Sequence, residues 1–306
     1  MIGIDAGGAN LKIASESGVE IHYCPLWKES SLADIISQYS NEDNAFVVMS
    51  GELSDGFYNK REGIKYIAEA VKKTFPDALF YGTDAKFHKD TCMELAAANW
   101  LASVDFLRRR YPNALLADIG STTADIIPLS KFDELLGMTD ILRLQKGYLV
   151  YTGMLRTPAA VLADSCIING VETPFSSEYF ACSGDAHFVM GNISRDDYTS
   201  ATPDGRDVSY DACLRRLSRT VCADLEEIGE KEAVSIAEKI CNSQKDLIKK
   251  AVEKVLYESG SDRIITAGIG SKYYAEVLGG VDLTEETKIP ADALPAYAVL
   301  KLGLLL

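Results

Sequence analysis

The chain has 306 residues, 47% of them hydrophobic and 25% charged, which is enough to bury a sizeable core and to build two domains. A formal net charge of -14 withholds the basic footprint that a nucleic-acid backbone requires, and no apolar run is long enough to span a bilayer, so neither nucleic acid nor membrane is an expected partner. Seven Cys without a CxxC pair argue against a disulfide framework or zinc ribbon, and the N-terminus enters a strand and loop directly with no secretion-signal pattern, so reduced thiols and a cytoplasmic location are expected.

Short apolar strands are predicted at residues 2–5, 11–14, 20–23, 45–50, 78–81, 114–118, 125–129 and 263–267. Between them, Ile64, Ile67, Ala68 and Val71 keep helical spacing behind Glu62. Met93, Ala96, Ala97 and Trp100 do the same behind the capping pair Asp90 and Thr91. Residues 165–210 mix aromatic, Gly, Asp and Ser residues with weak periodicity and read as an insertion or cap. Helical patterning returns over 210–227 and 230–259, and a last helix is predicted near Pro295. The order of elements is α/β.

Two segments repeat one device. In 4–13 and in 117–126 an apolar strand delivers an Asp, a Gly two residues later opens a small-residue loop, and a polar residue follows seven positions after the Asp. Either loop alone fits a hairpin turn. Two copies read better as paired anion-binding loops facing one cleft, with Asp5 and Asp118, and Asp125 beside them, holding a divalent cation such as Mg²⁺ against phosphate oxygens. Gly7, Gly8, Asn10, Gly120 and Ser121 would cradle the anion, while Lys12, Thr122 and Thr123 add donors. Arg61 and Arg156 are further phosphate ligands, with surface ion pairing as their alternative.

The motifs also carry a resemblance. Asp5-x-Gly7 with Lys12, Asp118-x-Gly120-Ser121-Thr122-Thr123-x-Asp125 and Thr266-Ala267-Gly268-Ile269-Gly270-Ser271 resemble the phosphate and nucleoside motifs of the actin, sugar-kinase and Hsp70 superfamily. That resemblance implies two ribonuclease-H-like domains flanking a cleft, at 1–113 and 114–306, with an insertion at about 165–210. It adds Gly268 and Gly270 to the phosphate set. Tyr273 and Tyr274 follow where the kinases place small residues, a departure that weighs against ATP. Ser50-Gly51-Glu52-Leu53-Ser54-Asp55, Tyr81-Gly82-Thr83-Asp84, Tyr151-Thr152-Gly153-Met154-Leu155-Arg156-Thr157-Pro158 and Ala201-Thr202-Pro203-Asp204-Gly205-Arg206 resemble the hydantoinase/oxoprolinase-related proteins, within them the synthases of methanofuran biosynthesis.

The resemblance implies a transferase that joins an aminomethylfuran-methanol diphosphate to gamma-glutamyltyramine, forming an aryl ether and releasing pyrophosphate. Lys12 would neutralise the leaving group, and Glu52, with Asp84 as the second choice, would take the phenol proton at a strand end. Capping is the alternative for Asp55 and Asp84. Tyr148, Tyr179, Phe180 and Phe188 would line an aromatic pocket or pack in the core. His22, His88 and His187 show no ligand spacing and are expected to be structural. An ATP-dependent small-molecule kinase, or an ATPase that signals to a partner, is the competing reading.

Overall fold

In the computed structural model, which describes residues 1–28, 31–287 and 291–306, the two glycine loops join the first two strands of two sheets laid out to one plan. The first sheet comprises β1 (Ile2–Ala6), β2 (Asn10–Ser15), β3 (Gly18–Tyr23), β4 (Ala45–Met49), β5 (Leu79–Tyr81) and β6 (Phe87–His88). Its order is β3-β2-β1-β4-β5-β6: an antiparallel meander, then β4 parallel to β1 and β5 parallel to β4. The second half begins with β7 (Ala114–Ile119), β8 (Ala124–Pro128) and β9 (Leu149–Val150), adds the separate hairpin β10 (Ser165–Ile168) and β11 (Val171–Pro174), and ends with β12 (Arg263–Ala267) and β13 (Val281–Asp282). Its sheet runs β13-β12-β7-β8-β9, again a meander followed by two parallel strands. Each half therefore has the ribonuclease-H-like order third, second, first, fourth, fifth, and the α/β class holds.

All five residues of β1 and of β4 are buried, as expected of strands covered on both faces. One cover is the helix Lys60–Lys72, capped by the Asn59 side chain on the Glu62 amide, with Ile64, Ile67, Ala68 and Val71 buried as their spacing predicts. The other is the last helix, Leu294–Gly303. A Cβ on Gly3 would lie 2.1 Å from the Ala296 carbonyl oxygen, and one on Gly303 would meet the Phe46 ring at 2.2 Å. The end of the chain thus packs on the first sheet, whereas a division into 1–113 and 114–306 assigns it to the second half.

Between Asp90 and Trp100 the predicted helix does not form as one piece. A 3-10 turn spans Met93–Leu95, the chain reverses at Ala97 with φ 49°, and the helix Asn99–Leu107 starts afterwards. The Thr83 amide donates to the Glu94 carbonyl at 2.7 Å, a tertiary tie that overrides alanine's helical preference. Beyond β11 come the helices Ser183–Val189, Tyr210–Arg219 and Leu225–Ser259, the last kinked at Gly229. Among the described residues no helix is long and apolar enough to cross a membrane.

Candidate active site

The two loops occupy matching places, and their backbones are polarised alike. Asp5 faces Lys12 across β1 and β2, and Asp118 faces Asp125 across β7 and β8. In the first loop the Gly7 amide donates to the Asn10 carbonyl at 3.1 Å, while the carbonyls of Gly8 and Ala9 accept from the Leu26 and Cys24 amides, both at 2.9 Å. In the second, the Gly120 amide donates to the Thr123 carbonyl at 2.9 Å. The Gly120 carbonyl accepts from Met154, and that of Ser121 from Leu155 and Arg156. The carbonyls are taken, yet the amides of Gly8, Ala9, Ser121 and Thr122 have no acceptor among the described residues. Loops with spare N–H groups and occupied carbonyls present a surface suited to anions.

Small residues make this stacking possible. A Cβ on Gly51 would lie 2.8 Å from the Gly7 carbonyl oxygen, and one on Gly153 would lie 2.5 Å from the Thr122 nitrogen. Segment 50–54 therefore rests on the first loop and segment 153–156 on the second.

Behind the loops the charges are crowded. Burial pushes the Asp5 carboxyl up to about 6 against the opposing pull of Lys12, and its Oδ1 has no hydrogen-bond partner. Asp118 is pushed up to about 7, first by burial and then by Asp125, with Lys12 opposing and Asp5 and Asp292 adding to the rise. The Lys12 ammonium donates to the Asp292 carbonyl. Asp125 is committed elsewhere: Arg143 donates to it and, at 2.6 Å, to Asp140. That ion pair corrects its expected place among the metal ligands, leaving Asp5 and Asp118. Among the described residues no group of three or more His, Cys, Asp or Glu side chains is arranged to hold a metal. Mg²⁺ is satisfied by one or two carboxylates plus waters and substrate phosphates, and the orphaned Asp5 oxygen fits that demand.

A cavity of about 190 Å³ opens between the loops. Ala9, Asn10, Tyr23 and Trp27 form its wall from the first half, and Ser121, Arg156, Tyr179 and residues 199–202 form the wall from the second. The Arg156 guanidinium lies 5.0 Å from the Trp27 ring centre and donates to Thr122 Oγ1 at 3.4 Å, spanning the cleft. The 199–202 wall is anchored through Asp204, which accepts from Arg216 at 3.1 Å and Arg219 at 3.3 Å. Arg216 is itself buried against Asp185. Trp27, Tyr23 and Asp292 carry no motif signal in the sequence. Ala201 and Thr202 of that wall belong to the 201–206 stretch that carries the family resemblance.

Most of the other expected site residues lie away from this cavity. Gly268 and Gly270 donate their amides to the carbonyls of Ala291 and Ile119, both at 2.9 Å, so those N–H groups are not available to phosphate. Their role is close approach, since a Cβ on Gly268 would lie 2.5 Å from Asp118 Oδ1. Glu52 is buried beside Lys60, 4.0 Å away, and does not line the cavity. Burial raises its pKa, and its Oε2 has no partner. Asp84 accepts from the Lys86 amide and pairs with His88 at 2.9 Å, a turn cap. Arg61 is exposed on the first turn of its helix. Of the four aromatic candidates Tyr179 lines the cavity, Phe180 does not, and Tyr148 and Phe188 belong to the core. His187 is fully buried, its Nε2 facing Gln244 Oε1 at 2.6 Å and its Nδ1 facing Asn192 at 3.0 Å, a structural histidine. Tyr274 is buried as well, so it packs the core and does not crowd the cleft.

Residues 44–298 match the family model described as hydantoinase/oxoprolinase. The chain belongs to the hydantoinase/oxoprolinase family. Among its relatives is the (4-{4-[2-(gamma-L-glutamylamino)ethyl]phenoxymethyl}furan-2-yl)methanamine synthase of Methanocaldococcus jannaschii, 34% identical over 319 residues, covering 99% of this chain and 97% of that protein. The synthase of the same name from Methanococcus vannielii is 36% identical over 177 residues, covering 58% of this chain and 80% of that one. Among solved structures, a nucleotide-free acetone carboxylase superposes with a TM-score of 0.48 at 12% identity, covering 95% of this chain and 51% of that one. A ROK glucokinase of Streptomyces griseus with glucose and AMPPNP gives 0.46 at 10% identity, covering 99% and 98%. The hydantoinase/oxoprolinase match begins at residue 44, after the first loop and Trp27, whereas the relative from Methanocaldococcus jannaschii aligns across both walls of the cavity.

Proposed function

We propose that this chain is a transferase of methanofuran biosynthesis that condenses an aminomethylfuran-methanol diphosphate with gamma-glutamyltyramine, forming the phenoxymethylfuran ether and releasing pyrophosphate. The observation that carries it is the near full-length kinship with the methanamine synthase, joined to a cavity that sets two amide-presenting loops against aromatic walls. The amides of Gly8, Ala9, Ser121 and Thr122, with Arg156, bind the diphosphate and stabilise the charge that develops on it as the carbon–oxygen bond breaks. Asp5 and Asp118 would hold Mg²⁺, which would supply neutralising charge to the leaving group. Lys12 keeps those two carboxylates together by offsetting their repulsion. The aromatic walls of Trp27, Tyr23 and Tyr179 hold the furan and the phenol face to face and exclude water.

No carboxylate or imidazole stands among the described residues that line the cavity, so the phenol proton passes to the departing diphosphate. That assignment replaces Glu52 and Asp84. A phosphotransferase reading gains nothing from the nucleoside motif, whose two glycine amides are already bonded. Incubation with both substrates and Mg²⁺ is expected to release pyrophosphate in step with ether. ATP turnover without ether, seen by mass spectrometry, would overturn the proposal.

A further inference from the structure

We infer that the indole face of Trp27 is a catalytic surface, stabilising positive charge at the furanmethyl carbon as the diphosphate leaves. This rests on the transferase reading above. Breaking the carbon–oxygen bond sends its electron pair to the diphosphate oxygen and leaves the carbon electron-poor. The phenol oxygen then bonds to that carbon, and its proton goes to the diphosphate. An electron-poor carbon needs an electron-rich neighbour. The described residues lining the cavity include no Asp or Glu; beside the neutral oxygens of Asn10, Ser121, Thr199, Ser200 and Thr202 stand the electron-rich faces of Trp27, Tyr23 and Tyr179.

Trp27 is distinguished among those faces by what it already holds. The Arg156 guanidinium sits 5.0 Å from its ring centre, so this face accepts a cation in the ligand-free protein. Arg156 has a second anchor in Thr122, on the phosphate loop, and a diphosphate bound there would compete with the indole for the guanidinium. The indole is then free to face the reacting carbon. Its backbone is tied to the leaving-group site as well. The amide of the preceding residue, Leu26, donates to the Gly8 carbonyl, and a Cβ on Gly56 would lie 3.2 Å from Trp27 Cα. The loop that receives the leaving group and the face that steadies the carbon are therefore fixed to each other.

The test places tryptophans carrying one to four ring fluorines at position 27 of the full chain and measures the single-turnover rate of ether formation, with Trp27→Leu alongside. Fluorine drains the ring's negative face and hardly alters its size. The logarithm of the rate is expected to fall steadily with fluorine count. Trp27→Leu is expected to lose about three- to thirtyfold, the range for a partly desolvated cation on an indole. Across the fluorinated series, which keeps the ring in place, affinity for the furan diphosphate is expected to stay within about threefold. A rate that is flat across the fluorine series would overturn the inference, even with a slow Leu variant, because it would leave Trp27 a purely steric role. Absence of ether from the unmodified protein would instead overturn the transferase reading.

Discussion

Asp118 has a carboxyl that burial and neighbouring carboxylates push up to about 7, so keeping it charged at neutral pH costs stability in the absence of ligand. Between the unfolded value of about 4 and the folded value the native state holds a proton that the unfolded chain has released, so its contribution to stability falls as pH rises through that window. Asp118→Asn is therefore expected to melt higher than the parent at pH 8 without ligand, with the gap closing toward pH 4, measured by differential scanning fluorimetry. The same variant, like Asp5→Asn, is expected to lose on the order of a hundredfold or more in kcat. Near-normal activity at limiting Mg²⁺ would make either Asp a simple hairpin residue. His187 has the opposite sign: burial pushes it down to about 4, below the unfolded value of about 6.5, so the stability it contributes is complete above pH 6.5 and is lost as pH falls toward 4. A His187→Gln variant is expected to flatten that acid limb in urea titrations. The strand-end placement of Asp5 and Asp118 beside their glycine loops was legible at this scale because the motifs are local, and Arg156 lines the cavity. The Arg143 partner of Asp125 carries no local signal because it lies 18 residues on, and Trp27 and Asp292 reach the site only through tertiary contact.

At the scale of elements, the loops depend on the segments stacked upon them. The Gly153 position would put a Cβ 2.5 Å from the Thr122 nitrogen, too close for a backbone neighbour to yield. Gly153→Ala is expected to displace the second loop, costing about 1–3 kcal/mol of stability from overpacking and far more than that proportion of kcat. A variant with a parental melting curve and parental kcat would show that segment 153–156 does not shape the loop. The strand–loop–strand devices were readable because an Asp, a Gly and a short apolar run specify them locally. The helix before Trp100 was not. Its apolar spacing is real, but the Thr83–Glu94 bond and the left-handed backbone at Ala97 interrupt it, and no local pattern marks either. Likewise, the amides of Gly268 and Gly270 are consumed by Ala291 and Ile119, partners that become neighbours once β12 lies beside β7.

The whole molecule is two sheets of one strand order facing a shared cleft, closed by a helix that returns from the end of the chain to the first sheet. The repeat of order was foreshadowed by the repeat of the loop, whereas the return of the last helix was not, since its packing against Gly3 and Phe46 joins residues nearly a chain length apart. Leu294, Ala296, Val299, Leu300 and Leu302 are all buried there. Burial of each large apolar side chain is worth about 1.5–3 kcal/mol against a typical total of about 5–15 kcal/mol. A chain stopped at residue 290 is therefore expected to lack a cooperative unfolding transition by circular dichroism. A sharp transition at the parental temperature would show that the helix is dispensable to the first sheet.

The cleft between the sheets is the seat of the proposed chemistry, and the stoichiometry of the reaction tests it most directly. With furan diphosphate, gamma-glutamyltyramine and Mg²⁺, one pyrophosphate is expected per ether formed, with no requirement for ATP and with arrest on chelation of the metal. Pyrophosphate release without ether, or ether formed only when ATP is consumed, would contradict it.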